Sequence, residues 1–166
     1  KILGAYDGFL IPMNSVIGGL CAHNIISGLS NKYTPIKQWL YYECLKICEP
    51  EKANWKYNAI YQNQVKVIGS KLQEKLNKTK LFIVGSGAIG CEHLKNFSMM
   101  GIGHQTITDM DTIERSNLSR QFLFRNSDIG KYKSEIASIK AKKMNPNIQI
   151  EYKRSEEHTS ELQSRG

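Results

Sequence analysis

The feature that most constrains the fold lies between Leu81 and Gly90. An apolar run, Leu81-Phe82-Ile83-Val84, leads directly into Gly85-Ser86-Gly87-Ala88-Ile89-Gly90, and a helical pattern follows. A lone G-x-G-x-x-G motif is weak evidence. With a strand before it and a helix after it, the motif specifies the first turn of a Rossmann-like unit. Gly85 permits the tight turn, Gly87 lets a phosphate approach the backbone, and Gly90 lets the helix pack closely on the sheet. The helix start offers free N–H groups and a partial positive charge to an anion.

The pattern continues downstream. Ala88 to Met100 reads as a helix, with Gly90, Leu94, Phe97 and Gly101 on one face. Gln105 to Thr108 reads as a second strand. Lys131 to Met144 reads as a second helix, with Tyr132, Ile136 and Ile139 on one side. Asn145-Pro146-Asn147 breaks it, and Ile148 to Tyr152 reads as a third strand. Strand–helix–strand–helix–strand implies right-handed crossovers and an α/β fold with a parallel sheet. Ligands of such sheets bind beyond the carboxyl ends of the strands. The glycine loop, Asp109 and Asp111 fall there, and Asn117, Arg120, Gln121 and Lys133 follow. A carboxylate for a ribose, then a guanidinium and an ammonium, suits a triphosphate better than a nicotinamide dinucleotide. Arg120 and Lys133 therefore argue against an oxidoreductase built on the same fold.

The upstream part is less regular. Pro12 with Asn14 or Ser15 can start a helix and Gly28 can end it. His23 within it reads as a packing residue. After the turn-prone Thr34-Pro35, Trp39-Leu40-Tyr41-Tyr42 reads as a strand. Glu49 to Asn58 is polar, contains Pro50, and reads as a linker. Tyr61 to Gly69 reads as a short extended segment, and Lys71 to Leu76 as a helical turn closing at Asn77.

Composition excludes some classes. The 166 residues suffice for one domain with a core or for pieces of two. The longest apolar stretch, near Phe9 to Leu29, is broken by Asn14, Ser15, His23 and Asn24, which argues against a membrane span. The net charge of +8 comes from lysines spread along the chain, and Lys140, Lys142 and Lys143 complement a helix C-terminus. That pattern reads as a solvated surface rather than a nucleic-acid patch. Cys21, Cys44, Cys48 and Cys91 lack the ligand pairs of a zinc site, and with no secretory signal they are expected to be reduced thiols. Cys91, in the first turn after the glycine loop, has a position that can lower a thiol pKa, but reads as a small residue packed behind the loop. The start at Lys1 without Met suggests a fragment or a processed product. Arg154 to Gly166 has no apolar period; Arg154 to Ser164 resembles the translation of a sequencing adapter, and His158 is given no role.

Several blocks together carry a resemblance. Val84-Gly85-Ser86-Gly87-Ala88-Ile89-Gly90-Cys91-Glu92 and Leu94-Lys95-Asn96-Phe97 are followed by Thr108-Asp109-Met110-Asp111-Thr112-Ile113-Glu114. Ser116-Asn117-Leu118 and Arg120-Gln121-Phe122-Leu123-Phe124-Arg125 come next; upstream stand Ile17-Gly18-Gly19-Leu20 and Tyr33-Thr34-Pro35-Ile36-Lys37-Gln38-Trp39-Leu40-Tyr41. Over roughly residues 7 to 153 the chain resembles the ubiquitin-activating enzymes. That resemblance implies the Rossmann-like parallel sheet of the ThiF-type adenylating fold, here incomplete, in which two related subdomains pair and only the second binds ATP. Residues 1–50 would close the inactive subdomain, 51–79 would be a linker and leading helix, 80–153 would begin the active subdomain, and 154–166 would be the adapter-derived tail. Gly85, Gly87 and Gly90 would line the nucleotide. Asp109 would bind the ATP ribose, and Asn117, Arg120, Gln121 and Lys133 would hold the phosphates. Arg120 and Lys133 would be the catalytic cations, and Asp111 would lie near Mg2+. The implied partners are ubiquitin and, through a C-terminal domain outside these residues, a ubiquitin-conjugating enzyme, with no nucleic acid or membrane and a cytoplasmic and nuclear location. The family's second magnesium-binding aspartate and its catalytic cysteine would also lie outside, so none of the four cysteines takes that role. The family also includes activating enzymes for other ubiquitin-like proteins. Two departures stand out: the Gly103–Thr106 linker is short for the family, and Ile60 stands where an arginine is common.

Overall fold

The computed structural model describes residues 8–42 and 59–154. Cys44, Cys48, the expected linker at Glu49 to Asn58 and all of the tail after Arg154 lie outside them. The chain divides after Gln73 into two compact units.

In the first unit, α1 spans Ile11–Ser30, with a proline in its first turn where no N–H partner is needed. Its expected stop at Gly28 is not the observed one. Asn31 ends the helix in a left-handed conformation, φ 54°, and its N–H bonds to the Ser27 carbonyl. The strand expected at Trp39 to Tyr42 does not form; these residues are irregular and exposed, with a positive φ of 67° at Gln38 just before them. Aromatic residues favour a strand only where a neighbouring strand supplies packing. The extended segment expected from Tyr61 to Gly69 is instead α2, Gln62–Ile68, closed by Gly69 at φ 80°. Tyr61, Gln64, Val65 and Ile68 are all buried, a helical spacing too short to stand out in the sequence. The helical turn at Lys71 to Leu76 is longer than expected: α3 runs Ser70–Lys78. A 2.6 Å hydrogen bond from Gln64 Nε2 to Gln73 Oε1 joins α2 to α3.

The second unit holds a three-stranded parallel sheet in the order β1 (Lys80–Val84), β2 (His104–Thr108), β3 (Gln149–Lys153). The register pairs Val84 with Thr108 and Thr108 with Lys153, so all three strands end at one level. The crossovers are α4 (Ala88–Met100) and α5 (Lys133–Met144). Gly101 ends α4 in the left-handed region, φ 82°. Gly103, just before β2, passes so close to the Asn77 carbonyl that any Cβ would overlap it. The core joins Ile83 to Leu94, Ile107, Ile113, Leu123, Phe124, Ile136 and Ala137. Each fully buried aliphatic side chain of this kind stabilises by about 1.5–3 kcal/mol.

α5 departs from the expected pattern in two ways. It starts at Lys133, with Tyr132 as its N-cap. Its buried face is Lys133, Ser134, Ile136, Ala137, Ser138 and Ala141, whereas Ile139 is exposed. The residues between β2 and α5 form two 3-10 turns, Arg115–Ser119 and Asn126–Asp128. No helix among the described residues is long and apolar enough to cross a membrane.

Candidate functional site

The glycine loop leaves β1 at Gly85, whose φ of 91° suits only glycine and whose N–H bonds to the Thr108 carbonyl at 2.8 Å. Gly87 is the N-cap of α4. A side chain on Gly90 would overlap the Gly85 carbonyl, which makes the glycine there a packing requirement. The space over the loop is open. A Cβ on Gly85 would meet nothing within 4 Å, and one on Gly87 would meet only Gln121 Nε2, at 4.0 Å.

The aspartates stand beside this loop because β1 and β2 end in register. Asp109 Oδ2 accepts hydrogen bonds from the Ser86 N–H at 2.6 Å and from the Ser86 hydroxyl at 3.0 Å. Asp109 Oδ1 accepts the Asp111 N–H at 2.9 Å. Three donors thus fix the carboxylate while leaving lone-pair capacity on Oδ1, since a carboxylate has about four acceptor sites. The start of α5 is strapped to the same segment. The Ser134 hydroxyl donates to the Asp109 carbonyl at 2.9 Å, and the Lys133 N–H donates to the Asp111 carbonyl at 2.9 Å. Lys133 Nζ then reaches Asp111 Oδ2 at 2.7 Å.

The 3-10 turn after β2 supplies the remaining residues. Asn117 is buried, and its Oδ1 accepts the Glu114 N–H at 3.0 Å, so it also holds the turn together. Arg120 is exposed and donates through Nη1 to the Ser116 carbonyl at 3.0 Å. A guanidinium has five N–H donors, so that bond leaves most of its capacity for an anion. Gln121 is buried beside Gly87, and its Oε1 has no hydrogen-bond partner. A buried amide oxygen without a partner costs free energy unless a ligand or water completes it.

Direct hydrogen bonds therefore join Asp109 to Ser86 of the glycine loop, Asp111 to Asp109 and Lys133 to Asp111, while Gln121 stands beside Gly87 and Arg120 precedes it in the chain. Ser86 and Ser134 are buried residues that sequence reasoning did not single out; their positions within the motif and at the helix start carried no signal for the bonds they make. Cys91 is fully buried, and burial pushes its thiol from 9.0 up to about 11, with Sγ 3.4 Å from the Ser86 carbonyl. It is the packing residue expected, and the helix start does not activate it. No group of three His, Cys, Asp or Glu side chains that could hold a metal occurs among the described residues. A magnesium ion held largely by phosphates and water needs only one or two carboxylates, and Asp111 can provide one.

The ThiF family model matches residues 61–164. The chain belongs to the ThiF family. Among curated proteins, it is 50% identical to the ubiquitin-like modifier-activating enzyme 1 of Rattus norvegicus over 163 residues, 90% of this chain and 15% of the relative. It is 41% identical to the human ubiquitin-like modifier-activating enzyme 7 over 156 residues, 86% of this chain and again 15% of the relative. The chain thus spans about 15% of the length of the curated relatives it matches. Among solved structures, Escherichia coli MccB with ATP superposes with a TM-score of 0.59 and 30% identity, covering 64% of this chain and 33% of MccB. The parallel sheet and glycine loop of this ThiF chain are therefore part of a ThiF-type α/β fold, of which it holds an incomplete copy.

Proposed function

We propose that the second unit is the nucleotide side of an adenylation site that activates the C-terminal carboxylate of ubiquitin, with ATP and Mg2+ as co-substrates. The observation that carries this reading is a ribose-type carboxylate, Asp109, held against the open glycine loop and bonded to Asp111, which in turn pairs with the buried ammonium of Lys133. The identity to ubiquitin-like modifier-activating enzymes supports the choice of carrier class, and the likeness to a structure solved with ATP supports the choice of nucleotide.

The chain's own groups suit that chemistry. The orphaned Gln121 Oε1 and the backbone of Gly85 and Gly87 line an open cradle, and Arg120 and Lys133 are the two cations that would serve it. Asp109 Oδ1 can accept a ribose hydroxyl. In the reaction a carboxylate oxygen of the carrier bonds to the α-phosphorus, the bond from that phosphorus to the bridging oxygen breaks, and pyrophosphate leaves with the electron pair. Negative groups crowd together in that step, so cations fixed in advance lower its barrier. No protein nucleophile is needed, and positioning supplies much of the rest. Mg2+ would be held by Asp111 and would neutralise phosphate charge. The acyl group would pass next to a cysteine outside these residues as a thioester, and then to a ubiquitin-conjugating enzyme. In this reading residues 1–50 belong to an inactive partner subdomain and the protein works in the cytoplasm and nucleus.

The test is carrier-dependent ATP–pyrophosphate exchange by the intact protein. The wild type should exchange with ubiquitin, and Arg120→Ala should lower the rate by about 100-fold or more, the scale of removing one fixed charge-stabilising group. Exchange that is unchanged in the variant would remove Arg120 from the site. Exchange supported only by another ubiquitin-like protein would reassign the carrier.

A further inference from the structure

Lys133 and Asp111 form an ion pair of unequal partners. The Lys133 side chain is 9% exposed, whereas that of Asp111 is 65% exposed, and Nζ lies 2.7 Å from Oδ2. The Lys133 N–H donates to the Asp111 carbonyl and so holds the two backbones together, and the Asp111 N–H donates to Asp109 Oδ1, which ties the pair to Asp109. A buried ammonium must keep an anionic or strongly accepting partner. An exposed carboxylate that loses its partner is rehydrated at little cost. The pair is therefore easy to open from the Asp111 side, provided another anion takes over Lys133.

We propose that nucleotide binding exchanges this pair: Lys133 passes from Asp111 to the triphosphate, and the released Asp111 carboxylate turns to the accompanying magnesium ion. This rests on the nucleotide reading of the site given above. The exchange makes the metal a condition of tight binding. A triphosphate arriving without magnesium must take Lys133 from Asp111 and then sit beside an uncompensated carboxylate. A triphosphate arriving with magnesium brings the cation that Asp111 needs. Asp111 is thus a positioning residue in the empty site and a filter against metal-free nucleotide.

The consequence runs against the usual effect of removing a site carboxylate. Equilibrium binding of ATP to the intact protein, measured by calorimetry with EDTA and again with excess magnesium, provides the test. In EDTA, Asp111→Asn should bind ATP about 3- to 10-fold more tightly than the wild type, because removing one partner of an ion pair frees the other for a new anion. With excess magnesium the order should reverse. In a Lys133→Gln background, Asp111→Asn should give a clearly smaller gain in EDTA, since only general repulsion is then relieved. Equal or weaker binding by Asp111→Asn in EDTA would overturn the exchange, as would the same gain in both backgrounds. Asp111→Ser provides the same comparison if the asparagine variant does not fold. If the wild type binds no ATP even with magnesium, the nucleotide reading falls, and the exchange with it; if it binds but the order never reverses, only the exchange falls.

Discussion

Helix α1 of the first unit and the sheet layer of the second treat their apolar residues in opposite ways. In the first, α1 carries Ile17, Ile25, Ile26 and Leu29, all exposed, and its buried residue is Ser27. In the second, Leu94, Ile107, Ile113 and Phe124 are almost completely buried around the sheet. The difference teaches that hydrophobic sequence is not the same as burial. α4 and α5 each return the chain to the sheet, so an apolar stripe on either helix meets β1, β2 or β3. Ile17, Ile25, Ile26 and Leu29 of α1 face solvent, and a helix gains most of its stability from packing rather than propensity.

Paired substitutions sharpen that contrast. Leu94→Ala should cost about 2–5 kcal/mol, by loss of transfer free energy and by the cavity left behind. Urea unfolding followed by circular dichroism reads the loss, and a shift under 1 kcal/mol would mean that the second unit does not close its own core. Gly103→Ala comes next. Its methyl group would push against the Asn77 carbonyl, and relief through backbone shifts costs about 1–3 kcal/mol. The same unfolding measurement should show it.

The cysteines divide the units chemically. Cys21 is exposed and Cys91 is buried. In the native protein a maleimide followed by peptide mapping should label Cys21 within minutes and leave Cys91 unmodified until denaturant is added. The raised Cys91 thiol also links to pH. Its folded-state value lies above its unfolded value, so the folded chain keeps a proton that the unfolded chain loses. The resulting stabilisation is present below pH 9.0 and falls as pH rises toward about 11. Cys91→Ala should flatten that slope. The smallest effect belongs to α1. Leu29 is 81% exposed, so Leu29→Ala should stay within about 0.5 kcal/mol. A loss comparable to that of Leu94→Ala would break the comparison, because it would show α1 packed in solution.

Most of the second unit was legible from sequence because each of its signals is local. The Leu81–Val84 run, the glycine loop and the break at Pro146 mark where the chain changes direction, and the observed strands differ from expectation only near their ends. The first unit was less legible for the same reason. The period in Tyr61, Val65 and Ile68 spans barely two turns, and an aromatic run such as Trp39 to Tyr42 becomes a strand only if a partner edge exists. Ile139 was misplaced because the buried face of α5 is lined by small and polar residues, Ser134, Ala137, Ser138 and Ala141, which a hydrophobic count overlooks.

The sequence by itself determined the order of strand, loop and helix, the glycines that the loop requires, and which residue types stand beyond the strand ends. These follow from backbone sterics and short-range periodicity, which a few neighbouring residues specify. Only the tertiary structure decided that Ser86 clamps Asp109, that Ser134 and the Lys133 N–H strap α5 to the end of β2, and that Lys133 meets Asp111. Those contacts join residues more than twenty positions apart. They exist because the parallel register brings the ends of β1 and β2 to one level, and a hydrogen bond forms only where the fold places donor and acceptor within about 3 Å.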